Sequence, residues 1–263
     1  MIKKNVDNTL AVIATGDEST ARAVIPTFDM ERDAGKGLEE ATTASFAIPF
    51  IKVLQALSPQ LETMSDAKAG MIFNSVTAEL LPGAKGILVI PCHFRPSYIE
   101  WRPRDSGGGL VHVYTPTEAA LLKTTKNEKF QDILPNGNIL TDTRTHSVLV
   151  LDDAVSPSMA AISMTSTQLK KSRKLMSAIS SVLVKGANGF FNPPSFGQVY
   201  RLTTEMERNN KGSWYSWAID YVGLVTDAAI YKMAKKFHDD LAANHLAVKH
   251  DAPDVVSDCD IPF

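Results

Sequence analysis

The sequence predicts a mainly β domain with added helices, which belongs to the α+β class. Short runs in which apolar and polar residues alternate begin near Ala69 and are separated by turn-forming residues. One amphipathic helical segment lies between two groups of these runs, and a second follows the last of them. This order fits a five-stranded Greek-key barrel carrying extra helices, although other α+β folds share it.

The chain is predicted to have three parts. Residues 1–40 show little periodicity, so we expect a mobile or loosely docked segment there. Residues 41–246 form the folded domain, and residues 247–263 form an acidic, disordered tail. A short helix is predicted from about Ile48 to Leu57, because the apolar residues of that stretch cover a broad face.

The first group of strands follows this helix. Period-two alternation predicts four strands: Met71–Leu81, Lys85–Pro91, Ser97–Arg104 and Leu110–Tyr114. Pro82-Gly83 supplies a turn between the first two, and Gly107-Gly108-Gly109 permits a tight reversal between the last two. Thr115–Lys123 then predicts a short helix, because Thr-Pro-Thr-Glu is a helix-capping sequence.

The second group contains two hairpins and two longer helices. The hairpins are predicted at His146–Leu151 with Met159–Met164, and at Gln198–Glu205 with Ser213–Tyr221. Between them an amphipathic helix is predicted to start at a Ser166 or Thr167 cap and to end near Lys185. The final helix is predicted from about Thr226 to Leu246.

Composition excludes a membrane span and a disulfide framework. The apolar fraction is 44%, and no apolar run approaches the ~18–20 residues that a membrane helix needs. Cys92 lies in a strand-like run and Cys259 in the tail, so we expect no disulfide. A signal peptide is not apparent, and a cytoplasmic location is expected.

The net charge of −2 conceals a polarity along the chain. Residues 1–40 carry eight acids and five bases, residues 41–250 carry 17 acids and 22 bases, and residues 251–263 carry four acids and no base. A mildly basic domain between acidic ends is compatible with nucleic-acid binding, although charge alone does not establish it.

The last thirteen residues combine acidity with an apolar tip. The segment is too poor in apolar surface to order itself, yet it finishes on Ile261-Pro262-Phe263. A partner protein can bind the ring in a pocket and the carboxylates with a basic rim. Pro262 stiffens the tip, which reduces the entropy lost on docking.

The end Asp258-Cys259-Asp260-Ile261-Pro262-Phe263 resembles the acidic tip of bacterial single-stranded-DNA-binding proteins, which typically finish Asp-Asp-Asp-Ile-Pro-Phe. Cys259 replaces an aspartate and removes one charge. The resemblance covers six of 263 residues. The remainder looks more like the diverged single-stranded-DNA-binding proteins of bacteriophages. The resemblance implies an OB-like five-stranded Greek-key barrel, with Asp258, Asp260, Ile261, Pro262 and Phe263 binding a partner protein.

The implied function is sequence-unspecific binding and protection of single-stranded DNA in replication, recombination and repair. Partner proteins would be recruited by the tail, and neither catalysis nor a cofactor is expected. In a phage protein, the location would be the cytoplasm of the bacterial host. The sequence leaves a homo-oligomeric state open.

Such a protein needs rings that stack on bases and cations that follow phosphates. Strand alternation predicts that Tyr98, Glu100, Arg102 and Arg104 share one polar face, with His112 and Tyr114 pointing outward on the next strand. The same pattern also fits an ordinary solvated strand face.

The second hairpin and the helix before it supply further candidates. Trp214 is predicted to point outward beside Lys211, with Arg201 on the opposing strand, although Trp214 also fits packing against the following helix. The adjacent residues Phe190 and Phe191 could add further rings, but two phenylalanines before Pro-Pro are more typical of a core. The basic run of Lys170, Lys171, Arg173 and Lys174 is predicted to follow phosphates or to hold the acidic tail, and it also fits a solvated helix face.

Two other functions remain as alternatives. A strand-annealing recombination protein would use the same rings and cations, and ring-like oligomers with annealing activity would distinguish it. A metal-dependent nuclease could use His93, Glu100, Asp105 and His112. These four residues lack HExxH-like spacing and the paired carboxylates of a two-metal site, so the nuclease is the weaker alternative.

Overall fold

The computed structural model describes residues 32–33, 36–41, 47–151, 157–210, 212–246 and 248. The chain divides into two compact units, residues 1–41 and 42–263. In the first unit the described residues form turns, one of which carries an ion pair between Lys36 and Asp33. Everything that follows concerns the second unit.

The second unit is mainly antiparallel β structure with added helices, as the sequence predicts. The described helices are α1 (Gln60–Thr63), α2 (Pro116–Ala119), α3 (Leu169–Ser181) and α4 (Ala228–Ala242). Within the described ranges no helix is long and apolar enough to cross a membrane. The described strands are β1 (Ile51–Val53), β2 (Ile72–Asn74), β3 (Leu80–Leu81), β4 (Ile87–Trp101), β5 (Leu110–Tyr114), β6 (Thr125–Lys126), β7 (Asp132–Ile133), β8 (Ile139–Leu151), β9 (Ser158–Thr165), β10 (Val184–Gly186), β11 (Gly189–Phe191), β12 (Gln198–Asn209) and β13 (Gly212–Leu224).

Two long strands, β4 and β8, form the centre of an eight-stranded sheet. They pair antiparallel from Leu88 opposite Leu151 to Trp101 opposite Ile139. Strand β9 pairs with the far side of β8. On the far side of β4, β12 pairs with its beginning and β5 with its end. The first half of this sheet therefore has the order β9–β8–β4–β12–β13, and α3 connects β9 to β12 along the chain.

The segment around β1 links the two outer strands of that order, so that the sheet is curled into a half-barrel. Phe50 forms a parallel bridge with Ala161 of β9. On the other side, the Gln55 amide donates to Tyr215 O and accepts from Tyr215 N, both at 2.9 Å, in β13. The side chain of Gln168 also contacts β13, donating to Tyr215 O at 3.1 Å. Two glutamine side chains thus replace part of a backbone ladder.

The predicted helix from Ile48 to Leu57 is wrong, because its centre, Ile51–Val53, forms strand β1 and no part of it is helical. Ile51 and Val53 pair with β2, and Ile51 and Leu54 are buried. A broad apolar face fits a strand buried on both sides as well as a short helix. The β-branched residues then pack more favourably in the extended form.

One continuous strand, β4, replaces the two strands predicted at Lys85–Pro91 and Ser97–Arg104. It accommodates Pro91 at a register shift between Pro91 and His93. Pro96 lies after the part of β4 that pairs with β12 and before the part that pairs with β5. On the side of β4 that faces away from β8, a proline at position 96 interrupts no described hydrogen-bond ladder, so it does not end the strand.

The predicted reversal and cap near β5 are confirmed. Gly107, Gly108 and Gly109 have φ of 96°, 63° and 102°, a conformation that residues with a Cβ rarely adopt. At the start of α2, Thr115 and Glu118 form a reciprocal capping box. In contrast, α3 begins at Leu169 after a 3-10 turn and has no side-chain cap, so the predicted Ser166 or Thr167 cap is wrong.

The core lies on both faces of the curled sheet. Inside it, apolar residues of β4, β8, β9, β12 and β13 pack together with Leu175 and Ile179 of α3. Outside it, α4 covers Ile90 and Leu149 with Phe237 and Leu241. Helix α4 therefore closes one end of the outer face of β4 and β8, and among the described residues the rest of that face is uncovered.

Candidate functional site

A groove runs along the open part of the outer face of β4 and β8. Its volume is about 360 Å³. Its lining residues are His93, Arg95 and Ser97 of β4, Thr145 and Ser147 of β8, Leu110 and Val113 of β5, Leu241 of α4, and Val248. None of these lining residues is acidic.

Strand geometry brings the polar lining together. Alternate residues of a strand point to the same face, so His93, Arg95 and Ser97 project together. The register pairs His93 with Ser147 and Arg95 with Thr145. The polar floor of the groove is therefore two strands wide.

Arg95 supplies the positive charge of the groove. It is exposed, and its Nη2 donates to Asn244 Oδ1 at 3.0 Å, just beyond the end of α4. Burial lowers the pKa of the neighbouring His93, and the charges of Arg95 and His238 lower it further. A neutral imidazole and a guanidinium therefore stand side by side at neutral pH.

Ser97 brings an unused hydroxyl to the groove. The residue is only 3% exposed, and its Oγ has no hydrogen-bond partner within the described part of the chain. Leaving a buried hydroxyl unsatisfied costs about 1–3 kcal/mol. A ligand or solvent molecule in the groove can satisfy this atom.

The predicted polar face of Tyr98, Glu100, His112 and Tyr114 exists, but Glu100 at its centre is buried while His112 is exposed. The strands pair Tyr98 with Tyr114 and Glu100 with His112. Glu100 is buried and accepts hydrogen bonds from Tyr114 Oη at 2.6 Å, Asn136 Nδ2 at 2.9 Å and Asn138 Nδ2 at 2.5 Å. Glu100 thus anchors β5 and the turn before β8 onto β4.

The hydrogen bonds around Glu100 also set its ionisation. Burial alone would raise the pKa of Glu100, but donation from Tyr114, Asn138 and Asn136 outweighs burial and holds that pKa below its usual value. The same bond raises the pKa of Tyr114. The Tyr114 hydroxyl is therefore committed to Glu100, while its ring lies 4.4 Å from the ring of His112.

Arg102 and Arg104 lie beyond the end of strand β4, which stops at Trp101. Arg102 N still donates to Gly109 O at 2.9 Å, across the turn that leads to β5. Both arginines are exposed, and Arg104 begins a 3-10 turn.

Trp214 does not point outward, because it is buried with 7% exposure. It lies beside α3, with Lys170 Nζ 5.9 Å from its ring centroid, so it packs against the helix that precedes β13 rather than against the following helix of the alternative. Lys211, which was expected beside it, lies outside the described residues. On β12, Arg201 is exposed opposite Asp220 and donates to Lys85 O at 3.2 Å.

Half of the basic run on α3 is neutralised. Lys170 pairs with Glu207 at 2.7 Å, and Lys171 pairs with Glu205 and Glu207, each at 2.6 Å. Burial alone would raise the pKa of Glu207, but the two lysines lower it to about 2. Arg173 and Lys174 remain exposed, and Arg173 Nε donates to Leu169 O at 3.4 Å.

Sequence reasoning missed the groove itself. His93 entered only as a metal-site alternative, and Arg95 and Ser97 did not enter at all. The signal was the alternation of His93, Arg95 and Ser97, which the prolines at positions 91 and 96 concealed. The tail residues Asp258, Asp260, Ile261, Pro262 and Phe263 lie outside the described residues.

The described residues add no metal-binding cluster in support of the nuclease alternative. In the part of the chain that the structure describes, no group of three or more His, Cys, Asp or Glu residues is placed to hold a metal ion. Glu100 and His112 are neighbours across two strands, whereas His93 faces His238, with ring centroids 6.1 Å apart.

The fold and groove define a mainly antiparallel β protein with an open site on the outer face of its central strands. A family model described as Pam3 phage gp34-like protein matches residues 18–247. The match covers most of the 263 residues, so the chain belongs to this phage protein family. No curated protein and no solved structure matches the chain.

Proposed function

We propose that this protein binds single-stranded DNA without sequence specificity, on an OB-like barrel. The observation that carries the proposal is the strand order. If β4, β8, β9, β12 and β13 are taken as the first to fifth strands, they lie in the order third, second, first, fourth, fifth. This is the order of the OB barrel, and α3 lies between the third and fourth strands, where that barrel has its helix.

The groove supports the same proposal, because OB barrels bind oligonucleotides on the face of their second and third strands. Strand β8 takes the place of the second strand, and its residues Thr145 and Ser147 line the groove beside residues of β4, the first strand. In this proposal Arg95 neutralises a phosphate, while the neutral ring of His93 offers a surface for base stacking. Leu110 and Val113 of β5 form an apolar side wall.

Such contacts read no sequence. A guanidinium binds any phosphate, a ring stacks on any base, and serine or threonine hydroxyls both donate and accept. In this proposal the buried Oγ of Ser97, which has no hydrogen-bond partner among the described residues, would serve in the same way.

Fluorescence anisotropy of a labelled oligo-dT tests the proposal, with duplex DNA and single-stranded RNA titrated alongside. We expect tight, salt-sensitive binding of the single strand and much weaker binding of the duplex. An affinity that does not change with salt would exclude phosphate neutralisation and with it this function.

Arg95→Ala tests the groove. Removing one phosphate contact should make the negative slope of log K against log salt concentration less steep by about 0.7 for single-stranded DNA. It should also weaken binding at low salt. The matched control is Lys68→Ala, which removes an exposed lysine between α1 and β2. Equal slopes for the two variants would place the DNA elsewhere on the molecule.

The tail is proposed to recruit proteins of replication, recombination or repair, on the resemblance of Asp258–Phe263. Deleting Ile261-Pro262-Phe263 should leave DNA affinity unchanged or slightly higher and abolish co-purification of such host proteins. The measurement pairs a pull-down, with captured proteins identified by mass spectrometry, and the same oligo-dT titration. Loss of DNA binding in the truncated protein would contradict this division between domain and tail.

A further inference from the structure

The hairpin of β10 and β11 exposes aromatic rings to solvent. The two strands pair only with each other among the described strands. Phe190 is 73% exposed, and Phe191 is half exposed. The expectation that these adjacent phenylalanines form part of a core is therefore wrong. We call residues 184–191 the aromatic arm.

The aromatic arm presents a ring and a cation together. Lys185 lies directly opposite Phe190 in the antiparallel pair, so the two side chains share one face. Phe191 is on the other face, and its ring lies against Gly186, where an added Cβ would be 3.1 Å from the ring edge. One ring thus braces the arm, and the other stands free beside an amine.

The base of the aromatic arm is fixed to the domain. Asn192 Nδ2 donates to Ile179 O at 3.0 Å and to Val182 O at 2.7 Å, which satisfies carbonyls at the end of α3. Gln198 Nε2 donates to Ile179 O and Pro193 O. A ligand that binds the arm therefore meets a preformed site and loses little entropy in ordering it.

The charge around the arm favours a polyanion. Residues 154–204 contain no Asp or Glu and six Lys or Arg, although the whole chain has 29 acids. Lys170 and Lys171 are neutralised by glutamates of β12, but Arg173 and Lys174 remain exposed. From these two residues to the end of α3 the exposed side chains are serines: Ser177, Ser180 and Ser181.

We propose that the aromatic arm and the exposed face of α3 form a second binding site for single-stranded DNA. A base stacks on Phe190, Lys185 contacts the adjoining phosphate, and the strand continues along Arg173 and Lys174. This inference rests on the proposed function and extends the DNA path beyond the groove. Exposed rings beside cations are what unspecific binding of single strands requires.

The test compares two oligo-dT lengths. An OB fold occupies about 4–16 nucleotides, so an oligonucleotide of about 10 fills the groove, and one of about 30 also reaches the arm. Phe190→Ala should bind the short oligonucleotide as the wild type does and the long one about 5- to 150-fold more weakly, the loss expected for one stacked base. Leu121→Ala is the control, because Leu121 is another exposed apolar residue, at 82%, and lies outside the arm.

Photocrosslinking identifies the contact directly. A long oligonucleotide carrying 5-bromodeoxyuridine should crosslink to the peptide that contains Phe190. Lys185→Ala should make the negative slope of log K against log salt concentration less steep by about 0.7 for that oligonucleotide.

Three outcomes would contradict the proposals. If Phe190→Ala binds each oligonucleotide as tightly as the wild type does, the second site is wrong while single-stranded-DNA binding stands. If the wild type binds neither length, the proposed function itself fails. Binding of anionic phospholipid vesicles that Phe190→Ala abolishes, with DNA affinity unchanged, would assign the arm to membranes and overturn the inference.

Discussion

Replacing Gly86 with alanine is expected to destabilise the fold by about 4 kcal/mol, a large share of the ~5–15 kcal/mol that a domain has. Gly86 ends the turn before β4 with φ +67°, a conformation that costs a residue with a Cβ about 1–2 kcal/mol. An added Cβ would also lie 2.3 Å from Leu202 O of β12. Because that oxygen is backbone, β12 would have to move away from β4.

Gly137→Ala separates these two costs. Gly137 has φ +85°, but nothing lies within 4 Å of an added Cβ, so only the backbone strain remains. We expect this control to lose about 1–2 kcal/mol. Urea unfolding followed by circular dichroism measures both variants. Equal losses would show that the approach of β12 to Gly86 is not tight.

Acidification from pH 6.5 to pH 4 is expected to remove about 3 kcal/mol of stability through His146 alone. Burial lowers the pKa of His146 to about 4, from an ordinary value of 6.5. In this interval the unfolded chain binds a proton that the folded protein excludes, so acid favours unfolding. Above pH 6.5 both states are neutral, and this contribution is constant.

The geometry around His146 explains why it stays neutral. Its Nε2 lies 2.8 Å from Ser172 Oγ of α3, and its ring centroid is 5.0 Å from that of Phe94. His146→Gln should not show the loss of about 3 kcal/mol between pH 6.5 and pH 4 that His146 causes, even if the variant is less stable than the wild type at pH 7. His112→Gln is the control, because His112 is exposed. Parallel stability–pH curves for the wild type and His146→Gln would contradict this role.

The sequence predicts the elements whose side-chain pattern is set locally. The hairpins β8–β9 and β12–β13 follow from the strand-like pattern of each arm and the turn residues between the arms, although the middle of β8 and β9 is buried on both faces. Helices α3 and α4 follow from amphipathic spacing. These elements form most of the curled sheet and its two longer helices.

The errors arise where a distant neighbour decides the structure. Segment 48–57 is extended because it lies beside β9 and β2, which its own spacing does not reveal. Trp214 is buried because α3 covers that face of β13, and Glu100 is buried because Asn136 and Asn138 approach it from another turn. A residue's face can be read from its strand, but whether that face is covered cannot.

The same limit applies to the candidate site. Lys170 and Lys171 look like phosphate ligands in the sequence, yet glutamates of β12, more than thirty positions later, neutralise them. Conversely, Arg95 and Ser97 gain their interest only when β5, β8 and α4 enclose them in one groove. Charge counts along a chain therefore overestimate some cations and overlook others.

The glutamine links to β13 have a consequence for the order in which the protein folds. Gln55 and Tyr215 are 160 positions apart, so their two hydrogen bonds close one of the longest loops in the domain. Contacts of such separation are slow to form, because much of the chain must be ordered first. During synthesis, the strand around Ile51 leaves the ribosome long before its neighbour in β13 exists. Until Tyr215 emerges, the segment around β1 lacks its neighbour in β13, and chaperones or a second nascent chain can bind to that unpaired side.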